Sequence, residues 1–263
     1  MQHQQNRITR EGNSKITDEV RKVRIQSTMK DHKTPSTCIP VAKIEDDCYD
    51  WEKRHAKILD CVKKNQYDVV FIGDSITHFW EGSSGVDHGS AVWKKYYGTR
   101  KVLNLGYGFD RTQNVLWRVE NGELAGQNPK IIIVNIGTNQ FSVTPKHPLD
   151  TPEDAAEGIV AVARKLRKIF PYTHLVIMSV FPRSAAGQES FFRNLIVPTN
   201  AMVKKALGAM ENLEIIDLTE KLSLPDGSLR KECFQPDLTH LDCPGYEIWA
   251  SAVESAICKA LGK

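Results

Sequence analysis

Long apolar runs are missing from this chain of 263 residues. No stretch reaches the ~18 residues of a bilayer span, which excludes a transmembrane protein as the reading. The opening Met1-Gln2-His3-Gln4-Gln5-Asn6 also has no apolar core of a signal peptide. The expected location is the cytoplasm, or a secreted or periplasmic one if a leader has been removed. Cysteine is sparse: Cys38, Cys48, Cys61, Cys233, Cys243 and Cys258 form no Cys-x-x-Cys pair and show no zinc-ligand spacing. Their even number permits disulfides, but a chain this long does not need them, and they read mostly as free thiols. No metal and no cofactor is called for. Positive charge is lacking where nucleic-acid binding needs it. The net charge is +3, yet residues 1–40 hold eight Lys and Arg against four Asp and Glu, so residues 41–263 sum to −1. A folded body without a basic bias disfavours nucleic acid as the main partner.

What is present is an ordinary globular composition, 41% hydrophobic and 25% charged. Residues 1–40 are polar and read as a weakly ordered arm. Residues 41–263 read as one domain, with no internal repeat. Strand candidates fall at 68–72, 101–105, 131–136, 174–180 and 214–218. Their near-continuous apolar character suits strands buried on both faces, hence a parallel sheet. Helical patterns lie between them. Residues 45–64 carry an apolar stripe, and 153–169 repeat Ala155, Ile159, Val162, Leu166 and Ile169 behind a Thr151 cap and Pro152. Residues 191–208 and 244–261 show the same stripe. Alternating strands and helices predict an α/β, three-layer, doubly wound sandwich around a five-stranded parallel sheet.

Four short motifs fall on one edge of that sheet. The first strand runs into Gly73-Asp74-Ser75, where open α/β sheets keep their ligand sites. Alone, such a turn more often caps the next helix. Before the last helix stands Asp237-Leu238-Thr239-His240. An Asp three residues ahead of a His can accept the imidazole Nδ1–H and leave Nε2 free as a base, although a solvated turn has the same spelling. Asn139, in Gly137-Thr138-Asn139 after the third strand, can aim its amide at a developing oxyanion, or simply cap a turn. The loop Asn104-Leu105-Gly106-Tyr107-Gly108-Phe109-Asp110-Arg111 looks like a phosphate cradle. Arg111 stands where a dinucleotide fingerprint needs its third glycine, and the loop follows the second strand rather than the first. Its glycines suit a tight turn that leaves a backbone N–H facing the site. His78-Phe79-Trp80 after the serine either line a pocket or pack.

Together these blocks resemble the SGNH (GDSL-type) hydrolase family over residues 67–260, whose fold is flavodoxin-like. Thr112 to Leu124 and Phe181-Pro182-Arg183 are similar to signatures of its platelet-activating-factor acetylhydrolase catalytic subunits. The resemblance implies Ser75 as nucleophile, His240 as general acid and base, and Asp237 as its orienter. It implies an oxyanion hole from the Ser75 backbone N–H, the Phe109 backbone N–H and the Asn139 side chain. Phe109 departs from the family, which places glycine before the Asp; the N–H survives, but a β-carbon there narrows the acyl pocket. The implied activity is hydrolysis of short-chain, chiefly acetyl, carboxylic esters through an acyl-enzyme. The polar loops 81–92 and 141–150 favour an O-acetylated carbohydrate substrate over a lipid. The alternatives are a silent acyl-glycan-binding module or an acyltransferase with the same triad. Relatives that pair make a homodimer the expected partner state.

Overall fold

Side chains along each strand alternate between two apolar cores, and this alternation sets the layering of the computed structural model, which describes residues 34–82, 85–184 and 188–263. The strands are β1 (Val69–Gly73), β2 (Val102–Gly106), β3 (Ile131–Asn135), β4 (His174–Met178) and β5 (Leu213–Ile216). All neighbours pair in parallel, in the order β2-β1-β3-β4-β5. The helices are α1 (Trp51–Lys64), α2 (Ser75–His78), α3 (Ser90–Tyr97), α4 (Thr112–Glu120), α5 (Pro152–Ile169), α6 (Glu189–Leu207), α7 (Thr219–Leu222) and α8 (Cys243–Leu261).

Val70, Ile72, Ile132 and Val134 point into a core closed by α1, α4, α5 and α6. Val69, Phe71, Ile131 and Ile133 point the other way, onto α3 and α8. The three-layer sandwich follows directly, and β1 and β3 are buried at every position because both their faces are covered. The Thr151 cap forms as expected, its hydroxyl accepting the Asp154 N–H at 3.1 Å. Helix α1 starts later than its stripe, at Trp51, because Asp50 caps it by accepting the Lys53 N–H at 2.8 Å.

The compact body begins at Pro35 rather than at residue 41. Thr37 is fully buried and bonds both α5 and α4: its hydroxyl donates to the Asp154 carbonyl at 2.6 Å, and its carbonyl accepts from Thr112 Oγ1 at 2.7 Å. The rest of the arm, residues 1–33, lies outside the described residues. All six cysteines are free thiols. Among the described residues no helix is long and apolar enough to cross a membrane.

From β1 the chain passes to β2 on one side, then returns to β3 on the other. This reversal opens a crevice beyond the carboxyl ends of β1 and β3, where doubly wound sheets bind ligands.

Candidate active site

Ser75 sits at that crevice because β1 ends at Gly73 and Asp74 caps the short α2, its Oδ1 accepting the Ile76 N–H at 3.0 Å. Ser75 is then the first helical residue, with only 7% of its surface exposed. Asp74 is buried, its Oδ2 has no hydrogen-bond partner among the described residues, and burial pushes its carboxyl up to about 7.

The turn before α8 supplies the second group. Asp237 Oδ1 accepts the backbone N–H of Thr239 at 2.9 Å and of His240 at 3.0 Å. Its Oδ2 lies 2.5 Å from His240 Nδ1. Leu238 takes a left-handed φ of +53°, which lets the turn close. Burial raises the Asp237 carboxyl, but the hydrogen bonds from the His240 ring and the two N–H groups outweigh it and hold the group well below the usual carboxylate range. An anionic Asp237 fixes the proton on Nδ1, so Nε2 presents a lone pair to Ser75 Oγ, 2.8 Å away. The three residues 75, 237 and 240 are therefore brought into one hydrogen-bonded row across 165 positions of chain.

Asn139 lies in a 3-10 turn, Thr138–Phe141, entered through Gly137 at φ +124°. A Cβ at Gly137 would stand 2.8 Å from Ile159 Cδ1, so only glycine fits this entry without displacement. Asn139 Nδ2 donates to the Asp110 carbonyl at 3.0 Å, which leaves its second amide proton for the crevice. The loop after β2 carries Phe109 with a left-handed φ of +58°. The neighbouring Gly108 N–H is taken by His78 Nδ1 at 3.2 Å. Among the described residues neither the Phe109 nor the Ser75 backbone N–H has an acceptor. Position settles the two roles open to residues 78–80. Trp80 is fully buried in the apolar core, Phe79 lies 5.5 Å from the His240 ring, and His78 holds the loop. Burial lowers His78 to about 2, so it is neutral and able to accept that N–H.

Several supporting residues are not visible in the sequence pattern. Arg111 donates to the Asn139 carbonyl and, at 2.8 Å, to the Ser142 carbonyl. Arg183 bonds the Thr138 carbonyl and hydroxyl, both at 3.2 Å. Beneath the β2 loop, fully buried Arg118 spans Asp110 and Glu123 at 2.7 Å each, with Trp51 Nε1 on Asp110 at 2.9 Å and Tyr107 on Glu123 at 2.5 Å. Arg118 and Glu123 belong to the segment similar to the family signature; their spacing is the one available signal, and it does not disclose burial. Among the described residues no group of three or more His, Cys, Asp or Glu is placed to hold a metal ion.

The fold and this edge define an α/β enzyme with a polar site at the carboxyl ends of parallel strands. The chain belongs to the GDSL-like lipase/acylhydrolase family, whose profile matches residues 71–248. It is 30% identical over 224 residues to the platelet-activating factor acetylhydrolase IB subunit alpha1 of Rattus norvegicus, covering 85% of this chain and 89% of that protein. The alpha2 subunit of Homo sapiens is 29% identical over 213 residues, covering 80% and 81%. Among solved structures, a GDSL-like lipase from Bacteroides thetaiotaomicron superimposes with a TM-score of 0.59 at 18% identity, covering 79% of this chain and 97% of that one. An acetyl xylan esterase gives a TM-score of 0.56 at 18% identity, covering 73% and 99%. The chain is accordingly an acylhydrolase that acts on esters.

Proposed function

We propose that this protein is a serine esterase that hydrolyses short-chain esters, chiefly acetyl esters, through Ser75, His240 and Asp237. The observation that carries the reading is the Ser75 Oγ to His240 Nε2 separation of 2.8 Å, continued to Asp237 at 2.5 Å. His240 Nε2 takes the Ser75 proton as Oγ attacks the ester carbonyl. The carbonyl oxygen gains negative charge, which the Ser75 and Phe109 N–H groups and the Asn139 amide receive. The carbon–alkoxide bond breaks as Nε2 returns the proton to the departing oxygen, leaving acetyl on Oγ. Water then repeats the sequence, giving acetate and free Ser75.

Acetyl specificity is supported by the β-carbon that Phe109 carries where the family has glycine, and by the names of the curated relatives. O-acetylated carbohydrates are the favoured substrate class, supported by the polar loops at the crevice. Ser75→Ala should fold normally and lose at least ~10³-fold in kcat on aryl acetates, with acetate measured directly. Activity within a few-fold of wild type would remove Ser75 from this role. Binding of an acetylated sugar with no acetate release would instead favour a silent binding module, and acetate release only with an added acceptor would favour an acyltransferase.

A further inference from the structure

Next to the site, at the carboxyl ends of β4 and β5, lies a cavity of about 610 Å³, the size of a small-molecule site. Its role is read from the direction of proton flow, and that role therefore rests on the esterase reading. The oxyanion donors stand at the carboxyl ends of β1, β2 and β3, whereas His240 is tied to the segment after β4. Ser184 N donates to the Leu238 carbonyl at 2.9 Å, and Thr239 Oγ1 to the Ser184 carbonyl at 3.3 Å. Since His240 hands its proton to the departing oxygen, the alcohol half of the ester leaves on the His240 side. The residues immediately before Ser184, Pro182 and Arg183, form a wall of the cavity.

We infer that this cavity is the subsite for the alcohol half, and that it is built for a polyhydroxylated alcohol, a sugar. Arg183, Arg193 and Arg230 line it together with Glu189, Glu220 and Asp226. Arg193 uses Nη2 on the Gly227 carbonyl, and Arg230 uses Nε on the Ser223 carbonyl at 3.2 Å, so each keeps further N–H groups to donate. A hydroxyl both donates and accepts, and a sugar ring can therefore satisfy guanidinium and carboxylate groups at once. An alkyl chain would cover the exposed Arg193, Glu220 and Asp226 at the rim and return no hydrogen bond to them. A fixed anion would meet three carboxylates beside the three guanidiniums. The exposed Val197 and Leu224 supply an apolar surface for the C–H face of a ring.

The test compares kcat/KM for O-acetylated xylo-oligosaccharide with that for 4-nitrophenyl acetate, whose leaving group is too small to fill the cavity. The full chain is used, as wild type, Arg193→Ala, Asp226→Ala and Glu220→Trp; these side chains are exposed at the rim, and thermal melts verify folding. The ratio of sugar acetate to aryl acetate should fall at least about tenfold in each variant. A ratio unchanged within about twofold, or a wild type that cleaves the aryl ester but not the sugar acetate, would overturn the subsite. Failure of the esterase reading looks different: no aryl acetate turnover by wild type, or turnover untouched by Ser75→Ala.

Discussion

At position 109 a phenylalanine holds a backbone conformation that L residues other than asparagine and aspartate seldom adopt, with φ +58°. In the proposed esterase the Phe109 N–H receives the oxyanion, and the left-handed geometry costs about 1–2 kcal/mol for a residue with a β-carbon. Phe109→Gly should therefore keep acetyl esterase activity within about threefold and raise the butyryl-to-acetyl ratio of kcat/KM, as the acyl pocket widens. An unchanged ratio would show that this side chain does not set acyl length. The sequence exposes the departure from glycine at 109, but not the sign of φ, which depends on His78 and Tyr49 gripping Gly108 from distant parts of the chain. The spacing of Asp237 and His240 is legible because three residues fit one turn; their junction with Ser75 is inferred from shared placement on one sheet edge.

Asp74 carries a pH dependence at the same scale. Burial lifts its folded carboxyl to about 7, above the ~3.9 of an unfolded aspartate. The folded state binds that proton more tightly, so stability is fully present below pH ~4 and declines as pH rises through about 7. Asp74→Asn retains an oxygen for the Ile76 N–H and should remove this decline. Denaturant unfolding at pH 5 and pH 8 should show the variant gaining on wild type at the higher pH. Parallel behaviour of the two proteins would contradict an aspartate that is protonated at pH 5.

At the scale of elements, the loops at the carboxyl ends of β2 and β3 are held by buried charge. Arg118→Met would leave the Asp110 and Glu123 carboxylates buried without their shared cation, for a loss of about 3–5 kcal/mol in chemical denaturation. Loss below about 1 kcal/mol would mean that water or rearrangement satisfies them. Strands are legible because Val, Ile and Phe fill both faces of β1 and β3. The ends are less so: the apolar run predicts β4 over 174–180, but the strand stops at Met178. Ser179 still donates its N–H to the Ile216 carbonyl of β5 at 2.9 Å, and the chain leaves the sheet at Val180, whose N–H goes to Asn200 Oδ1 on α6 at 2.8 Å. Buried arginines are invisible because their partners are fixed only by tertiary packing.

For the molecule as a whole, the parallel sheet and its switch between β1 and β3 are recoverable from the alternation of strand and helix. The start of the folded body is not, because Thr37 reads as a polar loop residue until α4 and α5 supply its hydrogen bonds.

The proposed nucleophile and its base also differ in how firmly they are anchored. Ser75 opens α2 two residues beyond the buried strand β1, while Asp237 is exposed and His240 only half-buried, in a turn stitched down by a few bonds. Regions with such unequal protection open at different free energies. Mild heating or denaturant should silence the enzyme reversibly while far-ultraviolet circular dichroism still reports an intact sheet, the turn at 235–240 fraying first. Cross-linking that segment to residue 184 would then delay inactivation without moving the global melt.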